Sequence, residues 1–294
     1  MPQHFVNWRI QRLQQAIQRE PDRQKNWSKL QELCAEAGRQ EDFIGFCQEI
    51  IKTHPGQRLA WPFVERASKE KDSLLDWTAF TEEVVRLNPS DASAWSHFDA
   101  AHAQCDDDLE LIAFCEAITL PQPKNPFALS RLAFLYKKSG RYADLISICQ
   151  TLLQLNPDDA QAWCNLADSY AARGRYDEAV AAYEEALRRK PNFLVAWNNL
   201  GNVCHLQGKY ESAVRAYEKA VALNKDDAAP WVWLCLAYVE MGDHQKAQEA
   251  VQKVQKRLPL VATMLTDELS DRVAAALAEE FPHPALKVLT RVSP

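Results

Sequence analysis

The sequence predicts an all-α protein built as a solenoid of equal-length helix pairs, because three patterns recur along it. Residues 160–193 align with the next 34 residues, which places Trp163 on Trp197 and Gly174 on Gly208. The fourth slot of this frame holds Trp in six of seven repeats, and the thirty-second slot holds Pro in six of seven. Continued in both directions, the frame gives the repeats 24–57, 58–91, 92–125, 126–159, 160–193, 194–227 and 228–261. A fixed period of this size is the signature of a repeat architecture.

Each repeat is expected to form two antiparallel helices. Trp163 and Leu166 begin an apolar stripe at helical spacing, and Gly174 follows where a left-handed residue ends a helix. A second stripe begins at Ala179, and Pro191 ends the second helix. One such hairpin has too little core to stand alone, so it needs its neighbours.

These residues resemble the tetratricopeptide-repeat (TPR) family, whose signature is Trp-x-x-Leu-Gly-x-x-Tyr, a later Ala-x-x-x-Phe, and then Pro. The resemblance covers about four-fifths of the chain. It implies a right-handed superhelix of seven repeats in which the first helices line a concave groove.

The second and third repeats match least well. Asp72 and Asp106 replace the glycine between the two helices, and Trp77 and Leu111 replace the small residue at the twentieth slot. We expect wider or differently angled hairpins in these two repeats.

Both ends depart from the frame and are predicted to cap a single solenoid domain spanning residues 1–294. Residues 1–23 resemble the second helix of a truncated repeat, and the seven repeats fill residues 24–261. Residues 262–294 are expected to form one long helix and a last short one. Such atypical ends are needed because an exposed terminal face of a solenoid is apolar.

Composition agrees with an ordinary globular chain of 294 residues, 47% of them hydrophobic and 25% charged. No apolar run approaches the ~20 residues that span a bilayer, so no membrane insertion is expected. The first residues lack the apolar core of a signal peptide, and the predicted compartment is the cytoplasm.

Six of the eight cysteines are interpreted as packing residues, with regulated or metal-binding thiols as the alternative, and no metal or cofactor is predicted. Cys105 and Cys164 fall outside the packing slots, and there is no Cys-x-x-Cys. His97 and His102 are five residues apart, which sets their rings ~140° apart around a helix and disfavours a shared ion. The cysteines at slots that are usually buried are Cys34, Cys47, Cys115, Cys149, Cys204 and Cys235.

A formal net charge of −6, with both signs mixed along the chain, argues against nucleic acid as the main partner. The pentatricopeptide proteins, which read RNA, have a similar architecture but a usual period of 35. The first helix is locally basic at Arg9, Arg12 and Arg19. We interpret it as a solvated cap face, with a binding patch as the alternative.

No catalytic motif is found: there is no phosphate-binding glycine loop, no His-Glu-x-x-His and no nucleophile elbow. Repeats and caps also account for the whole sequence. The chain is therefore predicted not to be an enzyme.

The resemblance implies that six slots of each first helix face the groove. Among them we expect a basic and aromatic group to hold an acidic segment, and asparagines to pair with a peptide backbone, since an amide both donates and accepts. An apolar anchor is expected at Trp233. The alternatives are that the amides bind only water and that Trp233 packs under the C-terminal cap. The candidate residues are Arg131, Phe134, Lys137, Lys138, Asn165, Asp168, Asn198, Asn199, Asn202, His205 and Trp233.

Two family specialisations were compared with these slots. The carboxylate clamp of chaperone-binding TPR proteins is not supplied, because Asn198 and Asn202 are followed by Trp233 and not by Asn. The stretch from Asn198 to Val203 looks like the asparagine ladder of O-linked N-acetylglucosamine transferases, but no glycosyltransferase domain accompanies it.

The predicted function is a non-enzymatic scaffold or adaptor that binds a partner protein or an extended peptide in its groove. Replacing Asn199 and Asn202 by Ala is expected to weaken binding without lowering thermal stability. The alternatives are an accessory subunit that presents substrate to a partner enzyme, glycosyltransferase-like or chaperone-linked, and a self-assembling scaffold.

Overall fold

The computed structural model describes residues 3–70, 75–103 and 108–257, and it is helical throughout this part of the chain. Fifteen α-helices follow one another here without a strand, which confirms the predicted all-α class. The chain divides into two compact bodies, Met1–Leu135 and Tyr136–Pro294, and the division falls within the eighth helix. We call them the N-terminal and the C-terminal body. One continuous domain over all residues stays a prediction.

The N-terminal body contains seven helices and most of an eighth, in the part that the structure describes. They are α1 (Gln3–Arg19), α2 (Gln24–Glu36), α3 (Gln40–Thr53), α4 (Trp61–Ser68), α5 (Trp77–Leu87), α6 (Ala92–Ala101), α7 (Asp108–Thr119) and α8 (Pro126–Lys138). Helices that are consecutive in sequence pack on one another from α1 to α4, and α5 packs on α6.

The C-terminal body holds the end of α8 and seven further helices within the described residues. Each packs on the next in sequence, and α12 also contacts the first helices of the repeats on either side of it. This consecutive packing is typical of a solenoid. The helices are α9 (Tyr142–Leu155), α10 (Ala160–Ala172), α11 (Tyr176–Arg189), α12 (Leu194–Leu206), α13 (Tyr210–Leu223), α14 (Ala228–Glu240) and α15 (His244–Arg257).

The helix starts follow the 34-residue frame in every repeat except the second. In the other six repeats the first helix begins at slot one and the second at slot seventeen. In the second repeat both begin three residues late, at Trp61 and Trp77. Pro62 explains the first delay, because proline is tolerated only in the first turn of a helix. Asp76 explains the second, since its carboxylate accepts from the Thr78 N–H at 2.9 Å and caps α5.

The predicted turn between the helices of a hairpin is confirmed where glycine occupies it. Gly174 has φ 72° and Gly208 has φ 70°, a left-handed conformation that side chains with a Cβ adopt at a cost. The chain then reverses, and the Arg175 N–H donates to the Tyr170 carbonyl at 2.9 Å. Asp72 and Asp106, which replace this glycine in two repeats, lie outside the described residues.

One hydrogen bond explains why the tryptophan and proline slots recur together. The Trp163 indole N–H donates to the carbonyl of Pro157, six residues earlier, at 3.0 Å, and Trp197 does the same to Pro191 at 2.8 Å. The bond ties the first helix of one repeat to the end of the preceding repeat. It also forms from Trp27, Trp61, Trp95 and Trp231, where the acceptors are Pro21, Pro55, Pro89 and Lys225.

The core of the C-terminal body lies between its first and second helices. Tyr183 and Tyr217 are fully buried there, beside small residues such as Ala179 and Ala213 that let the helices approach closely. Gly201 shows how close: a Cβ there would lie 2.5 Å from the Tyr217 ring.

The cysteines are buried as predicted. All six at packing slots are buried, and so is Cys164, which the frame had placed elsewhere. Cys105 and the predicted C-terminal cap, residues 262–294, lie outside the described residues.

Candidate functional site

The first helices of the C-terminal body form a continuous face, since α12 contacts both α10 and α14. We call this surface the first-helix face. It carries seven of the candidate residues, all of them half-buried. They are Asn165, Asp168, Asn198, Asn199, Asn202, His205 and Trp233.

Asp168 accepts hydrogen bonds from three side chains at this face, and its own side chain is 12% exposed. One carboxylate oxygen accepts from the Lys137 ammonium at 2.5 Å. The other accepts from the Asn199 amide at 3.0 Å and from the Tyr183 hydroxyl. Asp168 therefore joins the end of α8, α10, α11 and α12 in one charge-assisted network. Lys137 and Asn199, which were predicted as separate ligand contacts, meet here and both bind Asp168 of the chain itself.

The network shifts the pKa of two of its members. Burial alone would lower the pKa of Lys137, but the charge of Asp168 and the hydrogen bond to it outweigh burial and raise that pKa. Burial, reinforced by the Asp168 charge, raises the pKa of the Tyr183 hydroxyl far above its usual range. At neutral pH the ammonium is charged and the phenol is neutral, which is the state that the hydrogen bonds require.

Asn202 makes an equivalent bond one repeat later. Its side-chain oxygen accepts from the Tyr217 hydroxyl at 2.8 Å. Asp168 and Asn202 both occupy slot nine of their repeats, and Tyr183 and Tyr217 both occupy slot twenty-four. These tyrosines were not predicted as partners, although both repeats carry a polar residue at slot nine and a tyrosine fifteen residues later.

These bonds correct the expectation that Asn199 and Asn202 can be truncated without loss of stability. Each one satisfies a group within the chain, Asp168 or Tyr217, and a truncation leaves that group without a partner.

Two polar atoms of the same face have no such partner. Asn198 Oδ1 and His205 Nδ1 are both buried, and neither has a hydrogen bond within the described part of the chain. They lie seven residues apart on α12, which places them on one stripe of the helix. Buried polar atoms are nearly always hydrogen-bonded in native proteins, so these two are exceptions among the described residues of this face.

The His205 ring lies between aromatic side chains. Its centroid is 5.2 Å from that of Tyr210 and 6.1 Å from that of Trp233, both edge to face. Burial lowers the pKa of His205, although the Glu240 charge opposes the shift, so the ring is neutral near pH 7. Trp233 is half-buried and packs against the core of the C-terminal body, with part of its surface exposed.

The remaining candidates are less closely joined. The Asn165 side-chain oxygen accepts from Gln161 at 3.1 Å on the same helix, and Lys138 is exposed. In the N-terminal body, Arg131 pairs with Asp99 at 3.2 Å, and its guanidinium lies 5.4 Å from the exposed Phe134 ring. Phe134 is therefore a solvent-exposed aromatic residue of the predicted basic and aromatic group.

The histidines considered for a metal make other contacts. The His97 ring stacks on Trp61 with centroids 3.7 Å apart, and His102 contacts Glu82 at 3.3 Å. No group of three potential metal ligands occurs among the residues that the structure describes. Across those same residues, no helix combines the length and apolarity that crossing a membrane requires.

Three family models match the chain, each described as a tetratricopeptide repeat. They cover residues 164–230, 126–192 and 205–265. Comparison with the sequences of curated proteins found no match.

Solved structures of MamA are similar to this chain in fold. A crystal structure of MamA has 21% sequence identity and a TM-score of 0.52, covering 55% of this chain and 95% of that one. A crystal structure of the MamA protein has 19% identity and the same TM-score, over 65% of this chain and 96% of that one. A MamA RS-1 double mutant has 18% identity and a TM-score of 0.52, over 59% and 95%. The repeat frame, the helix order and the family matches agree, and residues 126–265 of this chain are tetratricopeptide repeats.

Proposed function

We propose that this protein is a non-enzymatic adaptor that binds an extended segment of a partner protein along the first-helix face of its C-terminal body. Family membership supports the coarser statement, because tetratricopeptide repeats serve as protein-interaction scaffolds. It also points to a non-catalytic repeat protein. The placement of the ligand is our inference.

The observation that carries the proposal is the pair of buried, unpartnered polar atoms on α12, Asn198 Oδ1 and His205 Nδ1. A buried polar group without a hydrogen bond costs about 1–3 kcal/mol, and a ligand that supplies the missing bond recovers that free energy. An extended peptide presents backbone N–H and C=O groups along its length, so it can donate to Asn198 Oδ1 and can either donate to or accept from His205 Nδ1. Trp233 beside His205 offers the ligand an apolar surface.

The Asp168 network serves this face as a support. Because Asp168 is bonded to Lys137, Asn199 and Tyr183, it holds α8, α10 and α12 at fixed spacing. The charges of Lys137 and Asp168 also neutralise one another, so this part of the face favours an uncharged polar segment. A face held in place in this way loses little entropy when it binds.

The test compares two double variants by quantitative affinity purification, with thermal unfolding measured in parallel. Asn198→Leu with His205→Leu removes the unpartnered atoms, and we expect the partner recovered to fall by about tenfold or more. We expect Tm to stay unchanged or to rise, because neither atom supports the fold and apolar replacements remove a desolvation cost.

The matched control is Arg173→Leu with Lys219→Leu, two exposed residues of the same body that lie outside the first-helix face. This variant should recover the partner as the wild type does. Equal recovery of the partner by the wild type and both variants would show that the partner does not bind the first-helix face. A fall in Tm of the first variant would show that its side chains support the fold.

A further inference from the structure

Helix α1 presents two aromatic rings to solvent. Phe5 is 43% exposed and Trp8 is 51% exposed, and their rings stack with centroids 5.9 Å apart. The opposite side of the helix buries Ile10 and Ile17 in the N-terminal body. Single exposed apolar residues are ordinary, but two stacked rings form one contiguous apolar patch, which a partner can cover.

The patch belongs to a stripe that runs along the helix. Its members are separated by three, four, three and four residues, which is the spacing that faces a partner helix in a coiled coil. The stripe lies away from the buried Ile10 and Ile17, and each of its members is exposed. We call it the α1 outer stripe, and its residues are Phe5, Trp8, Arg12, Gln15 and Arg19.

The charge of this helix is of one sign. α1 carries Arg9, Arg12 and Arg19 and no Asp or Glu, in a chain whose formal net charge is −6. The Arg12 guanidinium lies 5.1 Å from the Trp8 ring centroid, so it adjoins the apolar patch. In the described part of the chain, neither Arg12 nor Arg19 has a carboxylate within ion-pair distance.

A groove of about 440 Å³ runs beside the stripe, between α1 and α2. Trp8 and Arg12 form one edge, and Leu13, Ala16 and Leu33 are among the apolar residues that line it. The α2 wall carries Lys29 together with Glu32 and Glu36, so the positive charge is concentrated on the α1 side. An apolar side chain that enters the groove would contact Trp8 while its neighbours reach the arginines.

We propose that the α1 outer stripe docks an acidic amphipathic helix of a partner protein. Apolar side chains of that helix cover Phe5 and Trp8, and its carboxylates pair with Arg12 and Arg19. A stripe along one side of a helix offers a partner helix a surface along its length, and the arginines favour a partner of negative charge.

A second copy of α1 does not fit this surface. In a parallel pair each arginine would face the same arginine of the other copy. In an antiparallel pair Arg12, at the centre of the stripe, would face the other Arg12. Like charges facing one another destabilise a helix pair, so the occupant must carry the opposite charge.

The test uses two synthetic helical peptides of about 20 residues, a length that spans the stripe. Both have leucines at the positions that meet Phe5 and Trp8. One has glutamates at the positions that meet Arg12 and Arg19, and the other has lysines there. Binding of each labelled peptide to the full chain is measured by fluorescence anisotropy at low and at high salt.

We expect the glutamate peptide to bind at least about tenfold more tightly than the lysine peptide, with the difference shrinking in high salt. Phe5→Ala with Trp8→Ala should weaken binding of the glutamate peptide by about tenfold or more. Arg12→Glu with Arg19→Glu should reverse the preference between the peptides. These side chains are exposed, and circular dichroism checks that each variant keeps its helices.

Two controls separate this surface from others. Leu120→Ala with Lys124→Glu changes exposed residues elsewhere in the N-terminal body and should leave peptide binding unchanged. Asn198→Leu lies on the first-helix face of the other body and should also leave it unchanged, so this proposal and the proposed function fail separately.

Three results would overturn the proposal. The first is equal binding of both peptides, or of neither, by the wild type. The second is failure to bind the glutamate peptide together with Arg12-dependent binding to phosphatidylserine vesicles, which would identify a lipid surface. The third is a reversible dimer in sedimentation that Phe5→Ala with Trp8→Ala abolishes, which would identify a second copy.

Discussion

The side chains of the first-helix face differ in what their polar atoms bind. Asp168, Asn199 and Asn202 form hydrogen bonds within the chain, whereas Asn198 and His205 each keep one buried polar atom that has no partner among the described residues. The first group is expected to determine stability and the second to determine binding. Residue type does not distinguish the two groups, since asparagines occur in both. The difference lies in which side chains of neighbouring helices each residue contacts.

The close packing of Gly201 predicts that adding a methyl group there lowers stability. A methyl group there would lie 2.5–2.9 Å from three atoms of the buried Tyr217 ring, so Gly201→Ala must displace the ring or the helix. We expect a loss of about 1–3 kcal/mol in the free energy of unfolding, measured with urea.

Gly45→Ala is the control, because nothing lies within 4 Å of its added Cβ and it lies inside α3. It should stabilise by about 0.5–1 kcal/mol; a larger loss from Gly45→Ala than from Gly201→Ala would contradict this account.

The buried cysteines predict a dependence on pH. Burial raises the pKa of Cys149, Cys164 and Cys235 from 9.0 to about 12. Between these values the unfolded chain loses thiol protons that the folded chain keeps, so these groups lower stability as pH rises above 9. At pH 9 we expect iodoacetamide to modify these three thiols at least about tenfold more slowly in the folded protein than in urea, because only thiolates react. Mass spectrometry resolves each site, and equal rates in both states would show that the thiols are accessible.

Helices are linked from repeat to repeat by the indole-to-carbonyl bond, and the sequence predicted its two partners without predicting the bond. Trp and Pro recurred at slots four and thirty-two, which established the period and the helix ends. That the two slots touch follows from the turn between repeats, which brings residues six apart within 2.7–3.0 Å. The delayed helices of the second repeat were also missed, because Pro62 and Asp76 act locally and leave the 34-residue period intact.

Trp197→Phe tests this link within one element. Phenylalanine keeps most of the packing of α12 but cannot donate to the Pro191 carbonyl, which is now 2.8 Å from the indole nitrogen. We expect a loss of about 0.5–1.5 kcal/mol in the free energy of unfolding, measured with urea. Trp233→Phe is the control, since no hydrogen bond from its indole occurs among the described residues. Equal losses from both variants would mean that the lost ring area, and not the bond, causes the effect.

At the scale of the whole molecule, the two bodies differ in how regularly they follow the repeat. In the C-terminal body α10 and α12 each have 13 residues, whereas α4 has 8 and α6 has 10. The short helices belong to the second and third repeats, which lack the inter-helix glycine; the sequence predicted wider or differently angled hairpins there, not shorter helices. In a repeat protein, stability is roughly the sum of the stability of each repeat and of its contacts with adjacent repeats. Short helices contribute less to both.

Hydrogen exchange followed by mass spectrometry should therefore show graded protection. We expect the amides of α4 and α6 to exchange about tenfold or more faster than those of α10 and α12, which corresponds to about 1.4 kcal/mol. Equal protection across the four helices would contradict a stability that depends on the regularity of each repeat.

The sequence did not separate residues that bond within the chain from candidates for binding a ligand. The repeat frame identified which slots share the first-helix face, because slot position alone determines which side of a helix a residue occupies. It did not distinguish Asn199, which holds Asp168, from Asn198, because both carry the same side chain on the same helix. That distinction depends on Tyr183 and Lys137, which come from other helices.

The central claim is that partners bind along the first-helix face, and site-specific photo-cross-linking tests it most directly. A benzophenone amino acid replaces Asn198 in one protein and Lys219, which is exposed on α13, in another. The account predicts that the first cross-links to one reproducible segment of a partner protein and that the second does not. Cross-linking of that segment from position 219 and not from position 198 would contradict it.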